Sequence, residues 1–372
     1  MIDNLKDTYN LSINNLLASF LIHFIINFKQ FLKIFNCKIR NCSALTGGGI
    51  NLNQATANIK NVEISNCKAY GVDWSAGGAI CSQQSSVYIY NLFANNDSAR
   101  YCGGLYNYTN CKSVVENSIF INNKSKTGGG ALHITINSSL ILKNSLLVNN
   151  FSNDGGAAMD IDSSIVQWTN VTCVNNINNK NLGINSYRHP IFNVINSIIW
   201  NTPFNIPSNI KYSNVQGGWS GIGNINSIPQ FVNPVSDFHL LSTSPCMNAG
   251  SPDTSGLNLP SIDLDGNYRI KNNRIDIGAY EFDISLSSNI ITMSNVKIFP
   301  NPAKGIFYID CSELKDKAKI EITNVLGQNI YSAILLLDTK MKMIDLSNQN
   351  KGIYFIQIQS GNEKIVRKIL NY

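Results

Sequence analysis

The sequence predicts an all-β protein: a parallel β-solenoid of stacked coils followed by a small β-sandwich. Three observations predict it. Asparagines recur at Asn41, Asn66, Asn95, Asn122, Asn149, Asn175 and Asn201, at separations of 25, 29, 27, 27, 26 and 26 residues. A second file keeps step at Asn36, Asn61, Asn117, Asn144, Asn170 and Asn196, with Tyr90 in the exceptional place. Glycine runs at Gly47, Gly77, Gly103, Gly128 and Gly155 each precede the next apolar segment. Independent marker rows that share one period identify a repeat.

Each unit is too short for a pair of helices. Its apolar runs, at 118–121, 140–142, 146–148 and 161–166, are rich in strand-forming residues and lack helical spacing. One unit therefore makes one coil, which buries its apolar side chains only when stacked on its neighbours. Successive coils lie about 4.8 Å apart, so equivalent asparagines superpose and their amides can form a ladder. Asparagine also tolerates the left-handed backbone of a tight corner, and glycine allows positive φ or close approach at another. The row Asn41, Asn66, Asn95, Asn122, Asn149, Asn175 and Asn201 is accordingly assigned to the scaffold.

Composition narrows the class. The 372 residues leave room for two or three domains. Charged residues make up only 14% of the chain, and Asn, Ser and Thr carry most of the polarity, as suits an exported repeat protein. Of the net charge of +6, residues 297–372 hold 11 Lys/Arg against 7 Asp/Glu, and the remainder holds 18 against 16. With no basic stripe in the repeat sequence, nucleic acid is not an expected partner. The nine cysteines form no zinc spacing. Cys42 and Cys67 each follow a ladder asparagine and superpose in adjacent coils, as a disulfide or as stacked thiols.

Along the chain, residues 1–35 form an apolar segment that fits a cap, a partial coil or a signal remnant. Asn10, Asn14, Asn15, His23 and Asn27 argue against a membrane span. The repeats begin almost at once, which points to a start internal to a longer gene. Residues 36–237 form the solenoid, regular to about 202 and then broken by Pro203, Pro207, Pro229 and Pro234. A closing module occupies 238–284, a linker 285–295, and the β-sandwich 296–372. In the last, alternation at Ile320/Ile322 and Ile356/Ile358 and turns at Pro300-Asn-Pro302, Leu326-Gly327 and Lys351-Gly352 indicate a half-buried sheet.

Three resemblances follow. The Gly78-Ala79-Ile80 and Phe120-Ile-Asn122 patterns resemble polymorphic outer-membrane-protein repeats and the wider group of right-handed, single-stranded parallel β-helices with a pectin-lyase-like fold. The motifs Ser244-Pro-Cys246, Asn248-Ala-Gly250, Asp263 to Gly266, Arg269 and Asp276 to Glu281 resemble the choice-of-anchor module that closes such helices. Residues 296–372 resemble the type A C-terminal sorting domain of type IX secretion substrates, which is immunoglobulin-like. This last resemblance implies contact with the type IX machinery and an extracellular or outer-membrane surface location in a Bacteroidetes-type bacterium. The fold itself implies no reaction, because it serves lyases, hydrolases and adhesins alike.

Chemistry has few places to sit. Counted from each glycine run, Leu132 and Met159 point inward, and His133, Thr135, Asp160 and Asp162 point outward from neighbouring coils. His133 then lies one strand from Asp160, in a polar row that continues to Cys81 and Asn51. A histidine beside a carboxylate can act as a general base, so His133, Asp160 and Asp162 are the catalytic candidates, against the reading that they are ordinary exposed polarity. The carboxylate cluster and positioned arginine of pectate-lyase-like sites are missing. Asp263 and Asp265 resemble half a calcium loop or form a plain Asx turn, which makes calcium the one candidate cofactor. The glycines at 217–223 lack the strand and Lys-Ser/Thr of a phosphate loop. The expectation is a non-enzymatic adhesin or glycan-binding scaffold, facing polysaccharide or host and neighbour surfaces. The alternative is a polysaccharide lyase or glycoside hydrolase.

Overall fold

A computed structural model describes residues 31–71, 74–204, 206–270, 274–282, 296–311, 317–335, 340–360 and 363–372. It adds the backbone strands Leu11–Asn14, Leu17–Ala18 and Ile25–Asn27. The linker expected at 285–295 lies outside the described residues, as does most of the apolar segment before Phe31. The three short strands there pair in parallel with Phe31–Phe35, Lys38–Arg40 and Ile50–Asn53, in the manner of a further coil.

The described residues are all-β, and from 31 to about 200 they form a parallel solenoid of about six turns. Three walls run along it. The long wall contains Phe31–Phe35, Thr56–Ser65, Ser86–Asn95, Lys112–Glu116 with Ile119–Ile121, Ser139–Val148, Ile165–Val174, Ile191–Ile195 and Asn209–Lys211. The glycine-side wall contains Ile50–Asn53, Ile80–Gln83, Leu105–Tyr108, Leu132–Thr135, Met159–Asp162 and Ile184–Tyr187. The short wall is made of two-residue strands from Ser43–Ala44 to Phe151–Ser152.

One left-handed asparagine in the middle of each long strand explains how ten residues keep one wall inward. Asn61, Asn91, Asn144 and Asn170 have φ between 49° and 55°. Each occupies one position without following the pleat, so parity switches there. Ala57 and Ile59 point inward before Asn61, and Val62 and Ile64 do so after it. The apolar side chains of every coil thereby join one continuous core from Leu32 to Val215.

The described chain divides into two compact units. The first comprises residues 1–227, 249–260 and 277–279, and the second comprises 228–248, 261–276 and 280–372. The segment read from sequence as one closing module is thus shared between them. In the second unit, residues from Lys297 onward form two antiparallel sheets. One has Lys297–Phe299, Ile306–Asp310 and Met341–Asp345; the other has Asn329–Leu335, Ala318–Asn324, Gly352–Ser360 and Glu363–Asn371. Phe307, Ile309, Ile320, Ile322, Ile344, Ile356, Ile358 and Ile369 are fully buried in their common core, as a β-sandwich requires.

Candidate functional site

The asparagine rows set the register of everything that follows, and the structure revises both. Left-handed corners fall at Asn41, Asn66, Asn96, Asn122, Asn149, Asn175 and Asn201. Asn95 is instead a buried strand residue paired with Ser65 and Ile121. In the other row Asn91, not Tyr90, holds the corner, and its amide donates to Asn61 Oδ1 at 2.9 Å. The corner amides do stack in places: Asn96 donates to Asn66 at 2.7 Å, and Asn201 to Asn175 at 2.9 Å.

The more heavily bonded file is the next residue of each pair. Asn123, Asn150 and Asn176 are essentially inaccessible. Asn123 Nδ2 donates to Asn150 Oδ1 at 3.1 Å, and Asn150 Nδ2 to Asn176 Oδ1 at 2.9 Å. Their backbone N–H groups donate to the same oxygens at 3.0 and 2.9 Å. Cys67 and Asp97 continue this file, with Cys67 N donating to Asp97 Oδ1 at 2.7 Å. All nine cysteines are buried thiols outside any disulfide.

On the glycine-side wall the register brings the sequence candidates together. His133 pairs with Asp160 across adjacent strands, and Thr135 with Asp162. The same row runs to Tyr106, Cys81 and Asn51, as the spacing predicts. The expected open face is different, however: Asp160 is 1% exposed and Asp162 is 8% exposed. The glycine corner folds over the row. Gly156 N donates to Asp160 Oδ1 at 3.0 Å, and His133 Nδ1 donates to Tyr101 O at 3.2 Å. A Cβ on Gly128 would sit 2.5 Å from His133 Nδ1, and one on Gly155 would sit 2.3 Å from Asp160 Oδ2. Glycine is therefore required at these corners to let His133 and Asp160 fit.

Burial pushes the His133 imidazolium down and the Asp160 carboxyl up, and both effects favour the neutral forms. Asp162 goes the other way. Arg188 donates to it through Nε at 2.7 Å and through Nη2, holding the carboxylate below its usual range.

Sequence reasoning passed over the aromatic residues beside this row. Trp74 lies 6.1 Å from Tyr106 and 5.6 Å from Tyr108, Tyr101 stacks on Tyr106 at 6.4 Å, and Tyr106 meets His133 edge-on at 5.0 Å. Trp74 is 37% exposed. Tyr187, also exposed, extends the row past Asp162. The signal available was the alternation of Tyr106 and Tyr108, which places both rings on one face of a strand.

The second unit engages the other candidates. Asp263 Oδ1 accepts from Asp265 N and Asn267 N at 3.0 and 2.7 Å, and its Oδ2 accepts from Glu281 N at 2.8 Å. Asp265 pairs with His239 Nε2, whose Nδ1 pairs with Asp237. Burial disfavours charge on His239, but the two carboxylates outweigh it and hold the imidazole well above its ordinary pKa. Backbone donors thus reach both carboxylate oxygens of Asp263 in an Asx-turn geometry, and His239 pairs with Asp265. Arg269 donates to Glu281 at 2.8 Å with both side chains 1% exposed, and burial pushes the Glu281 carboxyl up to about 8. Asp263, Arg269 and Glu281 of this motif are therefore joined in a buried hydrogen-bonded cluster.

Residues 297–371 match the secretion system C-terminal sorting domain. No curated protein matches the chain. No described helix is long and apolar enough to cross a membrane. A parallel β-solenoid carrying a type IX sorting domain is exported to the cell surface or extracellular space of a Bacteroidetes-type bacterium, through an interaction of that domain with the secretion machinery.

Proposed function

We propose that the exported solenoid is a non-enzymatic glycan-binding scaffold or adhesin whose contact surface is the outer face of the glycine-side wall. The observation that carries this reading is the half-exposed Trp74 seated over Tyr106 and Tyr108, with Tyr187 and the Asp162–Arg188 pair further along the same row. Tyr108 and Tyr187 are three strand steps apart, about 14 Å. Aromatic rings present broad, rigid apolar faces of low entropy cost, which suit the apolar faces of sugar rings. The charged pair between them suits the hydroxyl rims. A glycan array probed with wild type and with Trp74→Ala tests it. Binding that weakens at least tenfold in the variant is expected, and binding unchanged by Trp74→Ala would refute the assignment.

A second reading, a polysaccharide lyase or glycoside hydrolase, is favoured by the opposite displacements of His133 and Asp160. With Nδ1 directed at a carbonyl, His133 keeps Nε2 free of a proton, as a general base needs, and a protonated Asp160 is a potential acid. Reducing-sugar and unsaturated-product assays decide between the two. Turnover abolished by His133→Ala and Asp160→Asn would establish catalysis, and binding without turnover would leave the scaffold reading standing.

A further inference from the structure

Coiling assembles on the long wall a charge pattern that is dispersed in the sequence. Its outward positions form three files in register. One runs Phe31, Thr56, Ser86, Lys112, Ser139, Ile165, Ile191, and the next runs Lys33, Asn58, Tyr88, Val114, Ile141, Gln167, Asn193, Asn209. The third runs Phe35, Lys60, Tyr90, Glu116, Lys143, Thr169, Ile195, Lys211. Five lysines and a single acid occupy these files. Lys33 and Lys211 are seven strand steps apart, about 34 Å. The repeat sequence looks electrically balanced because most of its acids lie outside these files: Asp160 and Asp162 on the glycine-side wall, and Glu63 past the Asn61 corner of its long strand, among Lys38 and Arg40.

Two depressions lie on this face and share Ile141. The larger, about 470 Å³, is bordered by Asn58, Tyr88 and Lys112. The other, about 320 Å³, lies between the wall and the loop at 256–258, with Lys143, Gln167, Asn193, Asn209 and Lys211 around it. No acid lines either depression. Their volumes fall in the range of about 300–1,000 Å³ usual for small-ligand sites. Lys143 is held by Glu116 at 3.5 Å and by Asn258 O at 2.8 Å. Lys112 and Lys211 are exposed and make no ion pair among the described residues.

We infer that this wall is a second site, one that binds an anionic oligosaccharide lengthwise. Carboxylate or sulfate groups sit at Lys112 and Lys211, and ring hydroxyls at the amides of Gln167, Asn193 and Asn209. An amide both donates and accepts, as a hydroxyl does. That pairing favours a sugar over a phosphodiester strand, which would call for a continuous run of cations. The inference rests on reading the exported solenoid as a glycan binder, but it uses a different wall and a different ligand charge.

The test is isothermal titration of the full chain with four probes at about 50 and 300 mM NaCl: an oligogalacturonate hexamer, a heparin hexasaccharide, the methyl-esterified oligogalacturonate and a 20-nucleotide single-stranded DNA. The chain is compared with Lys112→Gln/Lys211→Gln and with Trp74→Ala. Binding of one or both acidic probes is expected, weakened at least tenfold by the double lysine variant and by salt and unaffected by Trp74→Ala. The carboxylated and sulfated arms identify which anion is preferred. Equal affinity for the esterified probe, insensitivity to the lysine pair, or tighter binding of a 20-nucleotide single-stranded DNA would each overturn the inference. Acid binding that depends on Trp74 alone would sink this site while leaving the glycine-side wall intact. Lysine-dependent acid binding together with a Trp74→Ala variant that loses nothing on the array would do the reverse.

Discussion

Replacing Asn150 by leucine isolates the contribution of the buried amide file. Leucine keeps roughly the same volume and removes both polar ends. Asn150 Oδ1 is the acceptor for Asn123 N at 3.0 Å and Asn123 Nδ2 at 3.1 Å, and Asn150 Nδ2 donates to Phe120 O at 3.0 Å. Asn176 Oδ1 keeps the Asn150 backbone N–H at 2.9 Å, so the damage is directed toward the preceding coil. Four groups lose a partner, Asn123 N, Asn123 Nδ2, Phe120 O and Asn176 Oδ1, of which Asn123 Nδ2 keeps Ala94 O and Asn176 Oδ1 keeps Asn150 N. Each such loss costs about 1–3 kcal/mol, and neighbours in one network do not add fully, which gives about 3–5 kcal/mol for the site. At about 2–4 °C per kcal/mol for a unit of this size, the melting midpoint falls by roughly 6–20 °C. The assay is thermal and urea unfolding followed by far-UV circular dichroism, beside Asn149→Gly. Asn149 sits at φ 53° on a half-exposed corner, where glycine keeps the backbone; its effect should stay within about 0.5 kcal/mol. Equal effects of the two substitutions would refute the assignment of the load to the second asparagine of the pair.

Asp97 occupies the same file with one oxygen, Oδ2, lacking a hydrogen-bond partner, and burial raises its carboxyl well above the usual range. Because the folded value lies above the unfolded one of about 3.9, its stability contribution is full below that pH and is lost as pH rises toward the folded value. Asp97→Asn should therefore melt several degrees higher than wild type at neutral pH and coincide with it near pH 3; a lower midpoint at neutral pH would contradict this placement. Arg269→Met should destabilise the second unit by about 3–5 kcal/mol in urea unfolding by stranding Glu281, and Glu281→Leu on the same background should recover much of the loss. A secreted reporter comparison tests the tail: behind a signal peptide in a type IX-competent host, the chain with residues 296–372 should reach the surface or medium, and the chain without them should remain periplasmic.

The sequence by itself determined the coil, because the repeat period, the glycine runs and the apolar parity are local facts that any stacked structure must satisfy. It also determined the tail, whose Pro-Asn-Pro turn and isoleucine alternation define strands and their buried face. Adjacent strands bring His133 to Asp160 for the same reason, since residues one period apart superpose. Tertiary structure decided which asparagine of each pair turns inward. Asn149 and Asn150 are chemically identical, and only the placement of the corner separates them; where three polar residues run together, at Asn95, Asn96 and Asp97, the period alone selected the wrong one. It also decided exposure. Outward parity places Asp160 off the core, but a glycine corner that folds over the strand makes it inaccessible. The lysine wall likewise exists only after coiling, because its charges lie tens of residues apart in the chain and become neighbours through strand register.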